Sequence, residues 1–173
     1  MGGFVFNDGG RAEAGYKGKA GDCVARSLAI VTGRPYAEIY AALAKGTGSQ
    51  RATARSGKRA SSARNGINTK RKWFRDYAAS LGLEWVPTMK IGSGCTVHLT
   101  ADELPPGRLV VAVSGHYTAM IDGIIHDTHD PRREVHAIEP DRGQPLKPGQ
   151  WQNENGVCSI QRRCVYGYFR LAS

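Results

Sequence analysis

Apolar residues recur at helical spacing in three segments of the first half of the chain. The first segment predicts a helix over residues 23–32. Its buried face consists of Val24, Leu28 and Val31. Asp22 precedes the segment as an N-terminal cap, and Gly33 suits the left-handed backbone that ends a helix.

Two further helices are predicted by the same spacing. Pro35 opens the second, which ends at Gly46, and the third covers residues 69–81 before Gly82. The expected inward side chains are Tyr36, Ile39, Tyr40 and Leu43 in the second helix, and Trp73, Tyr77 and Leu81 in the third. Residues 47–67 lack apolar periodicity, which predicts a long basic loop.

The second half of the chain changes to short β-rich segments. The predicted strands cover residues 84–87, 108–113, 116–121, 124–128 and 164–171. Asp122-Gly123 lies between two of them and is a strong signal for a two-residue hairpin turn. Residues 137–163, rich in Pro, Gly, Asn and Gln, predict a polar insertion. Helices followed by antiparallel strands indicate one α+β domain over residues 1–173.

Composition places the chain among globular proteins. Its hydrophobic content is 40%, and the apolar run 109–113 is far too short to span a bilayer. No charged, apolar leader opens the chain, so we expect a cytoplasmic protein, in a host cell or virion if phage-encoded, without membrane contact. We expect no cofactor.

Four cysteines stand at positions 23, 95, 158 and 164. Since disulfides are rare in the cytosol, they are expected to be free thiols, with a Cys158–Cys164 bridge as the alternative under oxidation. Cys95-Thr-Val-His98 has the spacing of metal ligands, and Cys158 and Cys164 are the candidates to complete a zinc site. Ordinary packing is favoured over zinc, because structural zinc sites usually use a tighter second pair.

The net charge of +9 is concentrated in one segment. Nine of the 24 Lys and Arg residues lie between positions 51 and 75, while all 15 acidic residues lie elsewhere, so the remaining chain is neutral. The candidate binding residues are Arg51, Arg55, Lys58, Arg59 and Arg64. The segment is either a solvated loop or a surface for nucleic acid or an acidic protein partner. Three aromatic residues lie beside these charges: Trp73, Phe74 and Tyr77. Their helical spacing indicates core side chains in the first place and platforms for stacked bases only in the second.

Cys23 is the candidate nucleophile. It follows Gly21-Asp22 and begins the first predicted helix, where unpaired backbone N–H groups stabilise a thiolate and a developing oxyanion. On position alone, a small buried hydrophobe at a helix start is slightly favoured over a nucleophile.

The predicted hairpin supplies a base and a carboxylate. A two-residue turn at Asp122-Gly123 places His116 and Asp127 on the same face, as diagonal neighbours about 5.5–8 Å apart at Cβ. Asp127 can then orient the imidazole, whereas Asp130 falls on the opposite face unless the turn has three residues. His129 shares the His116 face and is an alternative partner, and His126 projects away from it. The residue types and predicted placement therefore match a catalytic triad made of Cys23, His116 and Asp127.

These two blocks resemble the papain-like cysteine peptidase superfamily. Gly21-Asp22-Cys23-Val-Ala-Arg-Ser, followed by Gly115-His116-Tyr-Thr-Ala-Met-Ile-Asp-Gly-Ile-Ile-His-Asp127, is similar to bacteriocin-processing double-glycine peptidases and to papain-like proteins of bacteriophages. The resemblance implies that the Cys begins the central helix, that the His begins a strand of the antiparallel sheet, and that an Asp on the next strand completes the triad. It spans less than half of the chain.

One position departs from that family. Its peptidases place a Gln about six residues before the Cys, where the amide donates to the oxyanion, but Lys17 stands here. Lys17, Lys19 and Asn7 are the candidates to replace it, or the oxyanion hole is incomplete. The missing Gln favours a non-catalytic protein, whereas the Cys-His-Asp register favours a cysteine hydrolase acting on a peptide or protein substrate, which is our first expectation. The alternative is an inactive papain-like module that binds nucleic acid or a virion partner through residues 51–75.

Overall fold

The computed structural model describes residues 3–51, 61–138, 150–153, 156–161 and 163–172, without the side chains of 133–138, 150–153 and 156–161. Three helices occupy the first half of these ranges: α1 (Cys23–Thr32), α2 (Tyr36–Gly48) and α3 (Lys72–Ser80). The strands are β1 (Phe4–Phe6), β2 (Leu83–Pro87), β3 (Arg108–Val113), β4 (His116–Ile121), β5 (Ile124–Asp127), β6 (Arg133–Ile138), β7 (Gln150–Asn153), β8 (Gly156–Gln161) and β9 (Val165–Leu171). Within the described residues, no helix is both long and apolar enough to cross a lipid bilayer.

Six of the strands form one mixed sheet in the order β1-β5-β4-β3-β9-β2. Only the pairing of β1 with β5 is parallel in this sheet. A second sheet has the order β6-β8-β7 and is antiparallel. The predicted α+β class is therefore confirmed.

The central strands of the large sheet are covered on both faces. Val110, Ala119 and Phe169 pack with the helices in one core, while Leu109, Val111 and Met120 belong to a second core on the other face. Burial on both faces explains why 109–113 is a continuous apolar run rather than an alternating one. It also fixes α1 against the sheet, and α1 begins at Cys23.

The predicted hairpin forms between β4 and β5. Ile121 pairs with Ile124 and Ala119 with His126, which is the register of a two-residue loop. The turn residues have positive φ, 48° at Asp122 and 81° at Gly123, as a type I′ turn requires.

The helix predictions are confirmed with shifted boundaries. Helix α1 has the predicted limits, but α2 continues past Gly46, which lies inside it. A Cβ added at Gly46 would lie 2.3 Å from the indole ring of Trp73, so this glycine makes room for the indole instead of ending the helix. In α3 the fully buried side chains are Phe74 and Ala78, whereas Trp73, Tyr77 and Leu81 are only partly buried around the same core.

Two strand regions were not predicted. β1 has only three residues, too few to show an alternating pattern. Residues 137–163, predicted to be an irregular insertion, instead contribute β7, β8 and the end of β6 to the second sheet. Strand pairing uses backbone hydrogen bonds, so a polar segment can pair without displaying an apolar face.

The cysteine prediction was wrong for two of the four residues. Cys95 and Cys164 form a disulfide with a Cα–Cα distance of 5.8 Å, which brings together positions 69 residues apart in sequence. The Cys158–Cys164 bridge is excluded by this pairing. Zinc at Cys95 and His98 is also disfavoured, because the sulfur is in a disulfide and His98 Nδ1 contacts a Glu103 carboxylate oxygen at 3.0 Å.

Candidate active site

Cys23 is the first residue of α1, as predicted, and it is the free cysteine among the described side chains. Its side chain is half-buried at the end of a helix whose remaining residues pack against the sheet. The early N–H groups of α1 have no partner within the helix and lie beside the sulfur, where they favour negative charge. A thiolate is therefore favoured at this position.

His116 and Asp127 are in direct contact on the neighbouring hairpin. The Nε2 atom of His116 lies 2.7 Å from Oδ2 of Asp127. The backbone N–H of Thr128 donates to the other carboxylate oxygen at 2.7 Å, which holds the carboxylate in place. Asp130, the alternative partner, pairs instead with the guanidinium of Arg132, whose Nε lies 2.9 Å from Oδ1. The predicted register and choice of carboxylate are thus observed.

Cys23 and His116 line the same cleft and interact closely enough to shift each other's pKa. Because Asp127 contacts Nε2, Nδ1 is the nitrogen that remains to pair with the thiol. Burial alone lowers the pKa of His116, but hydrogen bonds and charge attraction from Asp127 and Cys23 outweigh it and raise the pKa to about 9. The imidazole therefore carries a proton at neutral pH.

The pKa of the Cys23 thiol shifts in the opposite direction, below its ordinary value. Burial raises the pKa of Cys23, but hydrogen bonds from His116 and the Tyr117 backbone, with the charges of His116 and Arg26, bring it below its ordinary value. The pKa of Asp127 is also lowered, since its bond to His116 outweighs the cost of burial. Together these shifts favour a thiolate–imidazolium pair supported by a carboxylate, an arrangement that could pair a nucleophile with a proton donor.

Arg26 is a site residue that the sequence did not single out. It projects from α1 one turn after Asp22, and its Nη1 atom lies 3.4 Å from Asp127 Oδ1 and also bonds the Thr128 hydroxyl. Its Nε atom donates to Asp22 at 3.1 Å. The helical i, i+4 spacing of Asp22 and Arg26 was visible in the sequence, but their buried location was not.

The predicted capping role of Asp22 was wrong. It occupies the N-cap position of α1, yet its carboxylate forms no capping hydrogen bond. The carboxylate instead accepts from Arg11 Nε at 2.8 Å, from Arg26 and from the Tyr36 hydroxyl. Three stronger donors inside the protein therefore replace the backbone N–H groups, which stay available beside Cys23.

A cleft of about 570 Å³ opens over the thiol. Its described lining comes from three parts of the chain: Ala20, Gly21, Cys23, Val24 and Arg26; Asn65, Gly66 and Ile67; and Val113, Gly115, His116, Tyr117 and His129. The ring centroids of His129 and His116 are 5.0 Å apart, so His129 belongs to the cleft without replacing Asp127. His126, as predicted, is not among these residues.

Asn65 provides the side-chain amide in this lining. The Asn65–Gly66 peptide packs against Gly21: a Cβ added at Gly21 would lie 3.7 Å from Gly66 N and 3.8 Å from Asn65 C. Lys17, Lys19 and Asn7, the expected replacements for the missing Gln, are not among the lining residues. The side chain of Asn7 accepts from Gly9 N–H at 2.9 Å instead. The amide in the cleft therefore comes from Asn65, which is distant from Cys23 in sequence. No local sequence pattern could indicate that these two residues are neighbours.

The basic segment is only partly described. Arg55, Lys58 and Arg59 lie outside the described residues, and Arg51 is exposed. The carbonyl of Arg64 accepts from Gly21 N–H at 2.7 Å, and its guanidinium donates to Lys19 O at 3.0 Å. Arg64 thus joins the basic segment to the loop that precedes Cys23.

Comparisons with protein families, with characterised proteins and with solved structures find no match to this chain.

Proposed function

We propose that the protein is a papain-like cysteine hydrolase, which cleaves an amide, isopeptide or thioester bond by acyl transfer through Cys23. The observation that supports this proposal is that Cys23 and His116 share one cleft and shift each other's pKa, while His116 Nε2 lies 2.7 Å from the carboxylate of Asp127. A helix that begins at the nucleophile, packed against the hairpin that carries base and carboxylate, supports the papain-like classification.

The reaction proceeds through an acyl-enzyme. The Cys23 thiolate attacks the substrate carbonyl carbon, and the carbonyl electrons move to oxygen. The His116 imidazolium gives its proton to the leaving amine or thiol as the carbonyl re-forms and the old bond breaks. Neutral His116 then takes a proton from water, which attacks the thioester and releases the acid, restoring the ion pair.

Two donors near Cys23 are the candidates to stabilise the oxyanion of each tetrahedral intermediate. One is the backbone N–H at the start of α1, which is not used by an Asp22 cap. The other is the side-chain amide of Asn65, a residue that lines the cleft. Such donors act on charge that develops in the transition state, and each contributes about 10²–10³ in rate.

Binding of nucleic acid or a virion partner through residues 51–75 is the second proposed function. The concentration of nine cations without an acidic residue supports it. Against direct base stacking, Phe74 is fully buried, and Trp73 and Tyr77 are partly buried in the helical core.

Acylation by p-nitrophenyl acetate tests the hydrolase proposal. The parent protein should release nitrophenolate in a burst followed by turnover, and mass spectrometry should find the acetyl group on Cys23. Cys158 is an internal competitor in the same sample. The Cys23→Ser variant should lose the burst, and His116→Ala should lower the rate by about 10²–10⁴. Acetylation of Cys158 as fast as Cys23, or a burst that survives in His116→Ala, would overturn the proposal.

A further inference from the structure

We propose that the Lys17, Lys19 and Arg64 side chains form a cationic rim that binds an acidic stretch of the peptide or protein substrate, beside the bond to be cleaved. This inference rests on the proposed hydrolase function and assigns the class of substrate. The rim combines one residue of the basic segment with two from a loop that carries no excess of charge in the sequence, so only the fold brings the three together.

The rim is assembled by two loops that are joined directly beside the nucleophile. Gly21 N–H donates to Arg64 O at 2.7 Å, and the Arg64 guanidinium donates to Lys19 O at 3.0 Å. Ala20 and Gly21 on one loop, and Asn65 and Gly66 on the other, line the cleft. Lys19 and Arg64 therefore adjoin the lining on both loops.

Arg11 also binds the backbone of this loop. Its guanidinium donates to the carbonyls of Tyr16 at 3.1 Å and of Gly18 at 3.0 Å, while its Nε binds Asp22. The backbone that carries Lys17 and Lys19 is thus held by two arginines, although both lysine side chains are exposed. A fixed backbone with exposed ammonium groups can attract a charged ligand while losing less entropy than a mobile loop.

The charges around the cleft favour an acidic ligand. None of the described lining residues carries a carboxylate, whereas Arg26, His116 and His129 are among them. Asp22 is neutralised by Arg11 and Arg26, which leaves the exposed Glu13 and the partly exposed Asp8 as the acids of the preceding loop. Cations thus outnumber acids at the rim.

A peptide fits this site better than a nucleic acid. A thiolate attacks acyl carbon, which peptides supply and phosphodiesters do not. Trp73, the largest aromatic side chain near the basic segment, packs its indole against Gly46 in the helical layer. It is therefore directed into the protein and is not a platform for stacked bases.

Fluorescence anisotropy with three labelled ten-residue peptides tests the proposal. Their sequences alternate Gly with Glu, Gln or Lys, and a thymidine oligonucleotide serves as a fourth probe. At low salt the Glu peptide should bind most tightly, weaken as salt is added, and slow the labelling of Cys23 by iodoacetamide. Tighter binding of the oligonucleotide, equal binding of the three peptides, or binding of the Glu peptide that leaves Cys23 labelling unchanged would overturn the proposal.

Charge-matched variants locate the binding surface. The rim triple variant should bind the Glu peptide about tenfold more weakly than the parent; it combines Lys17→Gln, Lys19→Gln and Arg64→Gln. The control triple variant, which lowers the net charge equally at exposed cations elsewhere, should change it less than about twofold; it combines Lys45→Gln, Lys90→Gln and Arg170→Gln. If both triple variants bind the Glu peptide equally weakly, binding depends on net charge alone, and the proposed rim is overturned. Anisotropy does not need a reactive thiol, so failure of the rim and failure of the hydrolase proposal are distinguishable.

Discussion

The guanidinium of Arg26 lies 3.4 Å from Oδ1 of Asp127, the carboxylate oxygen that His116 does not contact. Arg26 also binds Asp22, so a single buried cation joins the residue before Cys23 to the carboxylate that contacts His116. Both carboxylates and the guanidinium are withdrawn from solvent, where an unpaired charge is costly. Arg26 is therefore a positioning residue for the proposed triad.

Replacing Arg26 should affect stability and reactivity together. Arg26→Ala leaves two buried carboxylates short of a partner and should lower the free energy of unfolding by about 3–5 kcal/mol, measured by urea denaturation. Arg26→Lys retains the charge but not the planar set of donors, so it should recover part of that loss. Since the Arg26 charge helps to lower the pKa of Cys23, iodoacetamide labelling at neutral pH should be slower in Arg26→Ala than in Arg26→Lys. Equal labelling in both variants would limit Arg26 to a structural role.

Asn65 should matter for acylation and not for alkylation. Acyl transfer develops an oxyanion, whereas displacement of iodide from iodoacetamide does not. Asn65→Ala should therefore lower turnover of p-nitrophenyl acetate by about 10²–10³ and leave Cys23 alkylation unchanged. Asn68→Ala is the matched control, because Asn68 lies in the same loop, is exposed, and bonds Lys70 N–H outside the cleft. A similar loss of turnover in both variants would argue against an oxyanion role for Asn65.

The effect of Asp127 on His116 can be tested by replacing Asp127 and, as a control, the nearby Asp130. Asp127→Asn removes the charge that raises the pKa of His116, so that pKa should fall from about 9 toward its ordinary 6.5. Less imidazolium at neutral pH then means less thiolate and slower labelling of Cys23 at pH 7. Asp130→Asn, three residues along the chain, should label like the parent, because Asp130 pairs with Arg132. The opposite ranking of these two variants would mean that Asp130 supports the base.

The local parts of this site could be predicted from the sequence. Helical spacing gives a helix beginning at Cys23, and Asp122-Gly123 fixes the register that places His116 on the same face as Asp127. Each of these inferences needs only neighbours within about a dozen residues, for which spacing and turn chemistry carry direct information.

The remaining features depend on contacts between distant segments. Asn65 reaches the cleft because its peptide packs on Gly21, and Cys164 meets Cys95 because their segments lie side by side next to the large sheet. No periodicity links such positions. The capping role expected of Asp22 failed for the same reason, since Arg11 and Tyr36 compete for its carboxylate only once the chain has folded.

The disulfide gives a prediction about stability. Cys95 and Cys164 close a long loop, so reduction should lower the free energy of unfolding by about 2–4 kcal/mol. Cys95→Ser combined with Cys164→Ser should reproduce the reduced parent, and reductant should then have no further effect. Thermal unfolding followed by circular dichroism measures this difference. Equal melting temperatures of oxidised and reduced parent would show that the bridge does not constrain the unfolded chain.

The pH dependence of Cys23 alkylation tests the central account most directly. In the parent, the pKa of the thiol is lowered by His116, so the iodoacetamide rate, followed by mass spectrometry, should rise with a midpoint below the ordinary 9.0. His116→Ala removes the hydrogen bond and charge but leaves the burial, which should move the midpoint above that of the parent and slow labelling at neutral pH. Coincident profiles for the two proteins, with a midpoint at or above 9.0, would contradict the thiolate–imidazolium pair.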